Sequence, residues 1–195
     1  RRARAVEMGF VKHHQVYQYA TIAECKERTG AMQIGTRWLD TNKGDSAQPN
    51  YRSRWVAQQF RRALVETVFS ATPNLEAVRL LLADAAARCK GEVDDEDTIM
   101  TLIIDIKRAY FNAKVSPEDP PVFVNLPSED GDHRDMCAQL LRHMYGTRMA
   151  ADGWQEEYST MLIDIGFTQG ESCPNVFYNQ QRGIVCSVHG LSLIQ

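Results

Sequence analysis

Apolar positions along the chain switch between two spacings, and the switches mark out its elements. Through Val11 to Arg28 they recur at helical intervals, which predicts a helical lead-in over residues 1–33. From residue 34 to 62 the period shortens to two. There IGTRWLD and YRSRWVAQQF flank the turn-rich TNKGDSAQPN, predicting a hairpin whose returning strand sets Arg52 and Arg54 on one face. Helical spacing returns in LEAVRLLLADAAARCK, with Leu75, Val78, Leu82 and Ala85/Ala86 as its apolar stripe and Gly91 as its stop. The next apolar run, TIMTLIIDI from Thr98 to Ile106, is β-branched and unbroken, so it predicts a strand covered on both faces that delivers Asp105 at its carboxyl end. A short strand in PVFVNLP follows. Helices are then expected at Met136 to Tyr145 and Gly153 to Ile165, and a strand pair across residues 175–189 with Gln180 to Gly183 as its turn. The order predicts an α+β architecture, helices packed on an antiparallel sheet.

Composition narrows the function classes. With 195 residues and 44% hydrophobic content the chain can bury the core of one ordinary domain. Its formal net charge of −3 is unevenly spread: residues 1–62 carry 12 Lys and Arg against 5 Asp and Glu, and residues 63–195 carry 10 against 20. A basic region beside an acidic one suits phosphate contact in the first and carboxylate chemistry in the second; mutual neutralisation is the plainer reading. The five cysteines are widely spaced with no C-x-x-C pair, which points to reduced intracellular thiols and away from a disulfide framework or zinc site. No apolar run approaches the roughly 18 residues of a membrane span, so an intracellular protein, cytoplasmic or nuclear, is expected. The acidic run Glu92 to Asp97 reads as a solvated turn, because consecutive carboxylates diverge instead of converging on an ion.

Several of these segments resemble, in order, the Ty1/copia type of retrotransposon reverse transcriptase. Asp105-Ile106-Lys107-Arg108-Ala109-Tyr110 is similar to motif A, D-x-K-x-A-[FY], and Tyr51 to Phe60 to the fingers signature Y-K-A-R-L-V-A-x-G-F. Glu66 to Pro73 is similar to E-T-F-S-P, and Val78 to Ala83 to I-R-x-L-L-A. Val122-Phe123-Val124 is like the V-Y-M strand, and Met144 to Arg148 like L-Y-G-L-K. Trp154 to Phe167 follows W-x-x-x-L-x-x-x-L-x-x-x-G-F, with Asn175-Val176-Phe177 matching the strand after it. The resemblance covers roughly residues 34 to 190.

It implies the fingers and part of the palm of a right-hand polymerase over residues 34–190, working on an RNA template, a DNA primer and deoxynucleoside triphosphates with Mg²⁺ or Mn²⁺. Asp105 would be the metal-ligating catalytic carboxylate, assisted by the carbonyl of Ile106; a turn-capping carboxylate is the alternative. Tyr110 stands where the family places the aromatic that excludes a sugar 2′-hydroxyl, with a core ring packed under the sheet as the alternative. Arg52 and Arg54 would hold phosphates, or else form a solvated strand face. Tyr145, Gly146 and Arg148 would position the templating base pair, while Met149-Ala150-Ala151 departs from the usual Gln-[Ser/Ala]-Pro. The family's Asp-Asp pair of motif C does not follow Gly190, and residues 191–195 depart from the pattern. The expectation is a piece of a longer reading frame, catalytically incomplete as it stands, with a non-catalytic nucleic-acid-binding module or an inert remnant of a degraded element as alternatives.

Overall fold

The computed structural model describes residues 1–59, 75–88 and 100–188. The chain divides into two compact units, one of Arg1–Val68 with Arg108–Trp154, the other of Phe69–Lys107 with Gln155–Gln195. Both mix helix with small antiparallel sheets, so the α+β expectation holds.

The first unit opens with α1 (Arg2–His13), β1 (Tyr17–Thr21) and α2 (Ile22–Thr29). The expected helix from Val11 to Arg28 is therefore two helices with a strand between them. Gln15 at φ 51° ends the first, and Thr21 starts the second, its hydroxyl accepting from the Glu24 amide at 3.0 Å. Gly30 then closes α2 in the left-handed region. β1 pairs with β5 (Met136–Leu140), which also pairs with β4 (Phe123–Val124), giving the antiparallel order β1-β5-β4. Residues 136–140 thus form a central strand where a helix was expected. Its Cys137, Ala138 and Leu140 are buried, and Ala20, Cys25 and Phe123 pack around Cys137. Pairing with two neighbours decides its conformation, because long-range ladders override weak local preference.

The hairpin of β2 (Thr36–Asn42) and β3 (Tyr51–Ala57) forms as expected, in a register that sets Trp38 opposite Trp55, Leu39 opposite Arg54 and Thr41 opposite Arg52. Period two sorts its faces. Ser53, Trp55 and Ala57 are buried, whereas Arg37, Arg52 and Arg54 are exposed. Helix α1 packs against β3. Arg4 fastens it further by donating to Asp40 and Glu129 and lying 5.4 Å from the Trp38 ring centroid. Tyr17 closes on Trp55 edge to face, ring centroids 5.6 Å apart. Below these, the fully buried Asp130 carboxylate accepts from the Tyr17 and Tyr19 hydroxyls at 2.7 Å each and pairs with Lys12 at 2.8 Å.

In the second unit, α3 (Leu75–Arg88) is the expected helix, but Leu75, Leu82 and Ala86 are exposed and its half-buried stripe is Ala77, Val78, Leu81 and Ala85. Helix α4 (Ala150–Asp164) begins in the first unit and continues here, where Tyr158 meets Phe177 edge to face at 6.0 Å. The sheet β6 (Thr168–Gln169), β7 (Val176–Asn179) and β8 (Ile184–Ser187) contains the expected strand pair. The segment from residue 100 to 106 is not a strand. Met100, Leu102, Ile103 and Ile104 are 73–90% exposed, against the expectation of a strand buried on both faces. Apolar β-branched residues form a strand only when a neighbour satisfies their backbone, and among the described residues none pairs with this run.

Candidate functional site

In the first unit, β3, the 3₁₀ turn Ala109–Asn112 and the loop after β5 converge. The loop lies along β3: the Ala57 amide donates to Tyr145 O at 2.8 Å, and the Gln59 amide to Gly146 O at 3.3 Å. Gln59 Oε1 returns a bond by accepting from the Arg148 amide at 2.8 Å. So close an approach needs a glycine. Gly146 has φ 82°, and a Cβ there would overlap the carbonyl oxygen of Ala57 and the side chain of Val56.

Tyr145 is thereby fixed as a hub. Its ring lies 5.1 Å from that of Tyr110 and 6.0 Å from that of Phe111, both edge to face. The Arg54 guanidinium stands over the same ring, 5.2 Å from its centroid. Burial pushes both tyrosine hydroxyls above their ordinary pKa, with Arg54 opposing the rise at Tyr145. Arg142 holds the 3₁₀ turn from its far end, donating to the carbonyls of Phe111 and Asn112 at 3.3 and 2.9 Å.

Of the residues expected at a site, the structure thus brings together Arg54, Tyr110, Tyr145, Gly146 and Arg148. Arg52 lies on the same exposed face of the hairpin as Arg54, two residue pairs further along. Arg37 shares that face. Asp105 and Ile106 belong to the exposed run in the second unit. Among the described residues no three His, Cys, Asp or Glu side chains converge as a metal cage around Asp105 or elsewhere. The acidic run Glu92 to Asp97 lies outside the described residues.

Two side chains beside these residues had no sequence signal. Glu7 sits on α1, 3% exposed, and accepts from Arg108 Nε at 2.8 Å. Arg108 in turn occupies the variable position of the motif A pattern and adopts the left-handed region, φ 53° and ψ 44°. Only the helical phase of Glu7, which turns it inward with Met8 and Val11, could have drawn notice.

The family described as reverse transcriptase (RNA-dependent DNA polymerase) matches residues 18–189. The chain belongs to that family. This reverse transcriptase segment is 28% identical over 163 residues, 78% of the chain, to the retrovirus-related Pol polyprotein from transposon RE2 of Arabidopsis thaliana, covering 10% of it. It is 26% identical over 158 residues, 76% of the chain, to the corresponding polyprotein from transposon RE1 of the same plant, again covering 10%. With the motif order, these relatives make it copia-type. The chain spans about a tenth of the length of the curated relatives it matches. No solved structure matches it. Among the described residues no helix is long and apolar enough to cross a membrane.

Proposed function

We propose that the chain is the fingers and part of the palm of an RNA-directed DNA polymerase, over residues 34–190, and that the Arg54–Tyr145–Tyr110 contact series lies at its nucleotide and template interface. Arg52 and Arg54 hold phosphates of the template or the triphosphate, since a guanidinium fork matches two phosphate oxygens. Tyr145 and Gly146, held to β3 by backbone bonds, seat the templating pair with Arg148. Tyr110 excludes a 2′-hydroxyl by bulk. Asp105 and the Ile106 carbonyl would be two of the ligands of Mg²⁺ or Mn²⁺, which when bound would supply activation of the primer hydroxyl and charge neutralisation at the triphosphate.

The observation that carries this reading is the contact of Arg54 with Tyr145, because it links an exposed basic strand to the aromatic pair through one ring. Fluorescence anisotropy with a labelled RNA·DNA hybrid across a salt series tests it. Each phosphate neutralised contributes a slope of about 0.9, so Arg52→Ala with Arg54→Ala should flatten log Kd against log salt by about 2. An unchanged slope rejects the reading. Steep binding without any preference for deoxynucleotides in competition would favour a nucleic-acid-binding module without chemistry.

A further inference from the structure

Residues 1–17 precede the segment matched by the family, yet α1 is built into the turn that carries Tyr110. Two of its side chains reach Arg108 at the start of that turn, and its cap residue His14 reaches the turn itself. Glu7 takes Arg108 Nε and Nη2 on one carboxylate oxygen, each at 2.8 Å. Phe10 lies under the same guanidinium, 3.5 Å from its centroid. His14 meets Phe111, ring centroids 6.1 Å apart.

Arg108 is where this matters. It precedes the 3₁₀ turn Ala109–Asn112 with a backbone conformation that side-chain-bearing residues rarely adopt. Something must hold it there. Glu7 is placed to do so, with its side chain 4% exposed and Arg108's 21%. The second oxygen of Glu7 is buried without a hydrogen-bond partner among the described residues, so the pair is not tuned for the greatest stability. Replacing such a pair by apolar residues often costs nothing, so stability alone does not account for it.

We propose that Glu7 is a positioning residue for Tyr110: by gripping Arg108 in the left-handed region it sets the start of the 3₁₀ turn, and the turn presents the Tyr110 ring to Tyr145. The consequence for sugar discrimination rests on the reading of Tyr110 as a gate.

Nitration by tetranitromethane, read by peptide mass spectrometry, reports the two parts separately. Tyr110 is 8% exposed and should react slowly, whereas Tyr178 at 44% serves as an internal reference. Glu7→Gln should raise the Tyr110:Tyr178 nitration ratio about tenfold, the population change matching release of one left-handed residue. Adding Arg108→Gly to Glu7→Gln should return the ratio close to the wild-type value, because glycine adopts that conformation unaided. Val11→Ala loosens α1 without touching the pair, and at a matched loss of Tm it should leave the ratio unchanged. A ratio unmoved by Glu7→Gln, or moved equally by Val11→Ala, overturns the positioning role. Protection of Tyr110 by dATP and ATP then tests the gate: the wild-type chain should be protected at lower dATP than ATP, and Glu7→Gln should erode that preference severalfold. No protection by either nucleotide overturns the gate and its dependence on Glu7, while the nitration ratio still decides what holds Tyr110.

Discussion

The β2–β3 hairpin and the run from Met100 to Ile106 are both rich in strand-forming residues, and they end in opposite states. In the hairpin polar residues are interspersed with apolar ones, and the strands meet across the loop 43–50, at whose base Asn42 Oδ1 accepts from the Gly44 and Asn50 amides at 3.0 and 2.8 Å. Its apolar face then has a definite cover in α1 and Tyr17. The 100–106 run is more hydrophobic, with no strand partner among the described residues, and it stays irregular and exposed. Hydrophobicity raises the gain from burial; it does not supply the ladder that makes burial possible.

That contrast can be broken most directly at Trp55. Its indole is fully buried, so Trp55→Ala should cost about 3–5 kcal/mol in urea denaturation, more than any substitution in the 100–106 run. A loss below 1 kcal/mol would mean the hairpin does not depend on its covered face. Gly146→Ala comes next. A methyl there meets the Ala57 carbonyl and must also adopt φ 82°, so a loss of roughly 2 kcal/mol or more is expected by the same measurement.

A smaller effect should appear in acid. Arg4 chiefly, and then Ser53, hold the Asp40 carboxyl down at about 2, below its ordinary value. A carboxyl depressed on folding stabilises the fold at pH values above its unfolded pKa, and that contribution fades as pH falls from about 4 towards 2. Asp40→Asn should therefore lower Tm near neutrality, flatten the fall of Tm with acidification in that window and converge with the unsubstituted chain towards pH 2. An unaltered acid slope would show that this contact does not couple to folding. The smallest change belongs to the other region: Ile103→Asn should alter stability by less than about 0.5 kcal/mol, since an 89% exposed side chain has little burial to lose. A loss as large as that of Gly146→Ala would mean that the run is packed in solution.

The legible parts of the fold were those set by nearby residues. The hairpin announced itself by alternation around a loop of Asn, Gly, Asp and Pro, α3 and α4 by helical spacing, and β7–β8 by the turn ending at Gly183. Residues 136–140 were misread because MCAQL has no strand signature of its own, and only β1 and β4 on either side make it one. The strand at Tyr17 hid inside a helical pattern because the break at Gln15 is a matter of backbone angle, not residue type. The same division holds at the site. Arg54, Tyr110 and Tyr145 stood out as residue types in a motif, whereas the Glu7–Arg108 pair spans 101 positions and carries no local mark.

The glycine at residue 146 has one more effect. An outer strand with free amides is an invitation to other chains, and proteins must blunt it. The amides of Ala57 and Gln59 are spent on the carbonyls of Tyr145 and Gly146, so the carboxyl end of β3 is closed by a rung from its own chain. Because residue 146 has no side chain, that rung lies too near for a foreign strand to slip between. The same close approach that seats Tyr145 therefore guards the hairpin against self-association at that end.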